Sequence, residues 1–327
     1  MVNVINVNVH YLMQQRGHEL VSDFTWMIGG PQGSGVETAA NIFSQVFSKM
    51  GYQIFGKREY YSNIKGEHSY FAVRVSDKQI RSSIKGTNML IAFDAETIFR
   101  HANDVLENGI IIYDSTLENI KVSDVITFDN DFKERMEGFL KSNNKENTIK
   151  GILELASERG ASIHSVSFRS LLFELSKKIE NPRIKTMIRM FNVLGVSLSL
   201  GLLMIPTEKL TESINSIFSK KKAIADMNVS AANFAYNYAA AKFGSTDLKF
   251  NINEIKENTL LVQGYYGTSI GKIIAGCRFR SEEHTSELQS LVNLVCRLLL
   301  EKNKLLPFLV LDIVNSHLCN TITTLNI

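Results

Sequence analysis

The chain has 327 residues, a formal net charge of +3 and 44% hydrophobic residues, the balance of a globular protein of about two domains. That small positive excess, with no Arg/Lys stripe interleaved with aromatics, gives no case for a nucleic-acid partner. The longest apolar run, Phe191 to Ile205, is shorter than the roughly 20 residues a membrane span needs and contains Asn192, Ser197 and Ser199, so no membrane is implied either.

Residues 1–22 carry no convincing pattern and read as an N-terminal extension. Thr25 to Ile28 is β-branched and apolar, the composition of a buried strand. Gly29, Gly30, Gly33 and Gly35 then allow a sharp turn. From Ala39 the apolar residues Ile42, Phe43, Val46, Phe47 and Met50 fall at helical spacing. The first free N–H groups of such a helix point back at the glycine turn and make a ready anion site.

The turn fits neither of the common phosphate-binding patterns. The dinucleotide pattern G-x-G-x-x-G fails because Thr38 stands where its third glycine belongs. The P-loop frame G-x-x-x-x-G-K-S/T matches only at Gly30 and Gly35; Val36 and Glu37 replace the lysine and the hydroxyl residue. A carboxylate at position 37 would repel a triphosphate, which argues against a Mg-nucleotide hydrolase. Two readings of the glycines stand: backbone shape alone, or phosphate contact through their N–H groups.

Further along, Tyr52 to Phe55 predicts a second strand, and Lys57 to Ser69, polar and aromatic, a functional loop. Within that loop His68 is expected as a structural hydrogen-bonder or a ligand contact, with Ser62 and Asn63 ordering it. Tyr70 to Val75, Met89 to Phe93 and Ile110 to Tyr113 predict strands, the last two buried and parallel. Asp94 and Asp114, at the ends of those two strands, read as helix caps before ligand contacts. A helix over Ile149 to Glu158, a strand over Ile163 to Phe168 and a helix over Arg169 to Ile179 follow, broken by Pro182. The helix from about Ile184 to Ile205 is apolar almost all round and is expected at the centre. Two more helices, one opening at Pro206 and one over Ala223 to Lys242, lead to a predicted linker at 244–258. Leu260 to Gln263 starts a new strand–glycine–helix unit. Strands alternating with helices predict a doubly wound, mostly parallel α/β sheet with C-terminal helices, its ligands outside the carboxyl ends of the strands.

The far end reads differently. Arg280 to Ser290 and Leu294 to Lys302 are the in-frame translation of two blocks of a common short-read sequencing adapter, with room for an index between them. Residues 280–327 are therefore expected to be adapter-derived and to take no part in the fold.

The glycine turn Trp26 to Val36, the Arg58 to Ser69 segment and the apolar helix through Asn192 to Gly195 together resemble the gamma domain of 2-oxoacid:ferredoxin oxidoreductases. The likeness is to the archaeal type, in which gamma and alpha domains share one subunit. It covers about residues 23 to 279: a gamma domain over 23–243, the linker, and over 259–279 the opening of a thiamine-diphosphate-type alpha domain that breaks off at Arg280. The resemblance implies oxidative decarboxylation of 2-oxoacids with coenzyme A as co-substrate and ferredoxin as electron acceptor. It implies thiamine diphosphate, Mg and an iron–sulfur cluster in a partner beta subunit, none held by this chain alone, and a fragment inactive by itself. The three cysteines, Cys277, Cys296 and Cys319, form no C-x-x-C pair, in keeping with that and with a reducing, cytoplasmic setting. Its candidate cofactor-contacting residues are Gly29, Gly30, Gln32, Gly33, Ser34, Gly35, Ser62, Asn63 and His68. The alternative is a stand-alone α/β scaffold protein whose glycine loop holds a phosphate or nucleotide.

Overall fold

The computed structural model describes residues 19–60, 68–177, 190–244, 246, 248–255, 259–277 and 321–326. A short strand, β1 (Glu19–Leu20), leads into β2 (Asp23–Pro31), which becomes the axis of the molecule. Its side chains alternate between two cores: Phe24, Trp26 and Ile28 enter one, Met27 the other. Helix α1 (Val36–Lys49) follows, then the hairpin β3 (Gln53–Tyr60) and β4 (His68–Ser76). Next come β5 (Thr87–Ala92), α2 (Ala95–His101), β6 (Val105–Asp114), α3 (Asn130–Ser142), α4 (Ile149–Glu158), β7 (Ser162–Val166) and α5 (Phe168–Ser176). The helices α6 (Phe191–Leu202), α7 (Thr207–Ile217) and α8 (Lys222–Phe243) form a group on one face; β8 (Leu248–Lys249), β9 (Thr259–Gln263), α9 (Gly264–Ile274) and β10 (Thr321–Asn326) complete the described chain.

The main sheet has the order β7-β6-β5-β2-β4-β3-β10-β9. β2, β5, β6 and β7 run parallel, as expected for the α/β half, while β4 pairs antiparallel with both β2 and β3. The sheet is therefore mixed, because the short β3–β4 connection permits only an antiparallel pair. Helix α1 packs on one face and α2 on the other, although β2 and β5 are neighbours. That is a topological switch point, where an α/β sheet opens a crevice at the carboxyl ends of its strands.

The core on the α1 face is aromatic. Trp26 stacks on Phe43 at 4.4 Å, and Phe43, Phe47 and Tyr52 continue the series. The indole Nε1–H donates to Ser199 Oγ at 2.9 Å, which in turn donates to the Gly195 carbonyl. Those bonds explain why α6 tolerates Ser199 although every residue from Asn192 to Leu202 is buried. Each fully buried aromatic contributes about 1.5–3 kcal/mol of transfer free energy, so this cluster ties α1, β2 and α6 into one body.

Three expectations change. Lys57 to Ser69 is not a loop throughout: β3 runs to Tyr60 and β4 starts at His68, the alternating residues pairing across the hairpin in register Tyr60↔Ser69. Ser62 and Asn63 lie outside the described residues, as do Pro182 and the start of the helix expected from Ile184. The stretch 244–258 is in part held to the core: β8 pairs parallel with β1, Phe250 packs edge-on against Phe24 and Phe47, and the Asn253 amide donates to the Met50 carbonyl at 2.9 Å. Residues 321–326, expected outside the fold, form β10 between β3 and β9, antiparallel to both. The run Thr-Ile-Thr-Thr-Leu is β-branched, and the edge of β3 offers unpaired backbone groups to such a strand.

Candidate functional site

The site grows from the turn that joins β2 to α1. The Ser34 amide donates to the Pro31 carbonyl at 3.1 Å, and Gly33, third residue of that turn, has φ +84°. A turn of this kind demands a residue free of a Cβ penalty at its third position. Gly35 then caps α1 in the left-handed region at φ +86° with no side-chain capping bond. Side chains cap α2 (Asp94), α3 (Asp129), α4 (Thr148) and α5 (Ser167), whereas α6, α7, α8 and α9, like α1, have no side-chain capping bond. The first bond within α1 comes from the Ala39 amide, so the preceding N–H groups have no intrahelical acceptor.

A cavity of about 590 Å³ opens there, at the switch point. Gly33, Ser34, Gly35 and Thr38 form its polar wall, together with Asp114 at the end of β6 and Asn192 and Asn228 from α6 and α8. Phe93, Phe191, Phe218 and Met227 are among its apolar lining. Asn192 is only 5% exposed, and its Oδ1, like Ser34 Oγ, is buried without a partner among the described residues. A buried polar atom left unpaired costs about 1–3 kcal/mol, so two such atoms on one cavity mark a place built for a polar ligand or water.

The structure brings together only some of the residues picked from sequence. Gly33, Ser34 and Gly35 line the cavity. Gly29 and Gly30 stand behind it as strand residues: a Cβ on Gly29 would lie 2.6 Å from Thr97 Cγ2, and one on Gly30 would lie 3.1 Å from Phe93 Cβ. Gln32 is half-buried and is not among the cavity-lining residues, its Oε1 accepting from Arg58 at 3.5 Å. Arg58 also donates to Glu37 Oε2 at 2.7 Å, which draws the carboxylate in the first turn of α1 toward β3. The Tyr265 hydroxyl of α9 is pushed up by burial, by its bond with Tyr266 and by the Glu37 charge.

His68 is on the other side of the sheet. Its backbone pairs with Pro31, yet its ring is buried against α2, with Nε2 3.1 Å from His101 Nε2. Burial, then the charges of His101 and Arg100, push His68 down to about 3. Asp94 is a cap, accepting from the Thr97 amide at 2.8 Å, and burial raises its carboxyl. Asp114 both caps, accepting from Thr116, and lines the cavity.

Sequence reasoning missed Asn192 and Asn228 as site residues. The available signal was an amide at the start of an otherwise apolar helix, where it has a polar reason to be. Among the described residues no group of three or more His, Cys, Asp or Glu could hold a metal ion, and no helix is long and apolar enough to cross a membrane.

Fold and cavity together define a three-layer α/β domain with a ligand-sized crevice at the switch point of its sheet. Residues 25–238 match the family model for pyruvate ferredoxin/flavodoxin oxidoreductase, and the chain belongs to that family. It is 37% identical over 257 residues to the alpha subunit of 2-oxoacid:ferredoxin oxidoreductase 1 of Sulfurisphaera tokodaii, covering 79% of this chain and 40% of the relative. Against the alpha subunit of 2-oxoacid:ferredoxin oxidoreductase 2 of Aeropyrum pernix, identity is 31% over 255 residues, covering 78% and 40%. The chain thus spans about two fifths of the length of these relatives. Among solved structures, the 2-oxoglutarate:ferredoxin oxidoreductase of Magnetococcus marinus aligns with a TM-score of 0.55 at 15% identity, over 78% of this chain and 38% of that one; this likeness concerns the fold.

Proposed function

We propose that this chain is the gamma domain and the opening of the alpha domain of a CoA-dependent 2-oxoacid:ferredoxin oxidoreductase subunit, and that its glycine-turn cavity receives the phosphate-bearing part of coenzyme A. One observation carries the assignment of the cavity: the uncapped N-terminus of α1 faces the same space as the two unpartnered atoms Ser34 Oγ and Asn192 Oδ1. Free helical N–H groups with the positive end of the helix dipole attract a phosphate. Ser34 Oγ donates to a phosphate oxygen, Asn192 Oδ1 accepts from an N–H or O–H of the same ligand, and the aromatic wall takes a less polar portion.

In this reading residues 259–279 begin the second domain, whose remainder is supplied by the rest of a longer subunit. In the same reading, as the family resemblance implies, thiamine diphosphate, Mg and an iron–sulfur cluster are held by a partner beta subunit. When bound there, thiamine diphosphate supplies the carbanion chemistry of decarboxylation and the cluster passes electrons to ferredoxin. The present chain binds and orients; it turns over nothing alone and works in the cytoplasm.

The test is calorimetric titration of the chain with coenzyme A, beside an assay of 2-oxoacid-dependent ferredoxin reduction with and without the beta subunit. Saturable coenzyme A binding lost in Ser34→Ala supports the assignment of the cavity. Binding that is unaffected by Ser34→Ala and by Asn192→Leu refutes it.

A further inference from the structure

Glu37 poses a problem that the cavity by itself does not solve. An anion site at a helix N-terminus works because the end of the helix is positive, and Glu37 puts a full negative charge in that first turn. A carboxylate there competes with any phosphate for the same N–H groups. Arg58 enters from β3, on the far side of the turn. Its Nη1 donates to Glu37 Oε2 at 2.7 Å, and its Nη2 reaches Gln32 Oε1 at 3.5 Å. One guanidinium therefore spans the turn, touching a residue before Gly33 and one after Gly35. The arginine fork is the side chain able to do this, because its donors sit in a fixed plane and its charge is permanent.

We infer that Arg58 is a positioning residue that holds the Glu37 carboxylate off the N-terminus of α1 and so keeps the glycine turn open to an anionic ligand. The inference rests on the cavity being an anion site, which the buried, unpartnered Asn192 Oδ1 and Ser34 Oγ support independently of Arg58. It also removes the sequence-level objection to an anion at this turn. The carboxylate that replaces the usual P-loop residues is neutralised sideways rather than aimed at the ligand.

The test is electrostatic rescue in the full chain. Arg58→Met, Glu37→Gln and the double variant are titrated with coenzyme A and, separately, with inorganic phosphate. Arg58→Met should weaken both about tenfold, the scale of one charge-assisted contact, whereas Glu37→Gln should not weaken either. The double variant should return to within about threefold of Glu37→Gln, since the charge to be restrained is gone. A double variant as weak as Arg58→Met would mean Arg58 serves only to brace the turn, and overturns the inference. Should the unsubstituted chain bind neither probe, the anion reading falls and hydrogen exchange decides the role of Arg58. Arg58→Met frees the Glu37 carboxylate to accept from the open N–H groups of the first turn of α1, so it must then slow exchange of the Glu37 and Thr38 amides, an effect absent from the double variant. An unchanged rate overturns it.

Discussion

Asn192 lies directly beneath Gly35: a Cβ built on that glycine would stand 2.7 Å from Asn192 Nδ2. Two constraints meet at one position, a left-handed φ of +86° and a contact that no methyl can enter. Gly33 shares the positive φ, at +84°, but has nothing within 4 Å of its would-be Cβ. The two glycines thus separate backbone strain from crowding. Gly33→Ala should cost about 1 kcal/mol, the strain of a non-glycine residue at positive φ. Gly35→Ala adds overpacking and should cost about 2–4 kcal/mol. Urea unfolding of the two variants checks this, and equal losses would mean α6 yields freely around Asn192.

Asn192 itself links stability to binding. Its Oδ1 is buried with no partner among the described residues, an arrangement that costs about 1–3 kcal/mol unless a ligand or water pairs it. Asn192→Leu, close to isosteric, should raise the stability of the ligand-free chain by about 1 kcal/mol while weakening coenzyme A binding. A variant both less stable and still competent to bind would show that the amide is structural.

The paired histidines on the opposite face predict an acid limit. His68 is held neutral in the folded protein, pushed from 6.5 down to about 3 by burial and by the charges of His101 and Arg100. Tyr70 lies against both rings, its hydroxyl donates to Glu59, and Asp104 stands 3.6 Å from His101 Nδ1. Because the folded value lies below the unfolded one, protons bind preferentially to the unfolded chain. The stabilising contribution is complete above 6.5 and is lost as the pH falls from there toward 3. Between 6.5 and about pH 5 the loss amounts to roughly 2 kcal/mol from this group. His68→Phe should flatten that part of the stability–pH curve. A curve with the same slope in the variant would assign the acid sensitivity elsewhere.

Much of this was legible in the sequence because it rests on local patterns. The strand–glycine–helix unit from Thr25 to Met50 could be read from β-branching, four glycines and helical spacing, and it folds as such. The buried helix through Asn192 to Leu202 was legible for the same reason, since a helix apolar on all sides has nowhere else to go. What escaped was set by partners distant in sequence. Nothing near His68 announces His101, thirty-three residues on, so a residue assigned to a loop turned out to be a buried strand residue on the opposite face. Nothing near Glu37 announces Arg58. Asn192 was visible as an anomaly, but only the approach of α6 to Gly35 gives the anomaly a place on the cavity.

The segment after α8 gives the last prediction. Composition made 244–258 a linker, yet Phe250 sits edge-on to Phe24 at 5.3 Å and to Phe47 at 5.0 Å, with Tyr52 at 5.9 Å. Two amides anchor the segment just after Phe250: that of Asn251 donates to the Tyr52 hydroxyl at 3.0 Å and that of Asn253 to the Met50 carbonyl at 2.9 Å. Four aromatic rings in edge contact contribute more than their buried area, about 0.5–1.5 kcal/mol for each pair. Phe250 is half-buried, so truncation loses less than a core phenylalanine would, and Phe250→Ala should cost about 2 kcal/mol. It should also release the segment locally, so a protease cutting within 248–255 should act faster on the variant than on the parent under native conditions. A true linker would show neither effect: its cleavage would already be fast in the parent, and the loss of one aromatic side chain would leave the unfolding midpoint where it was.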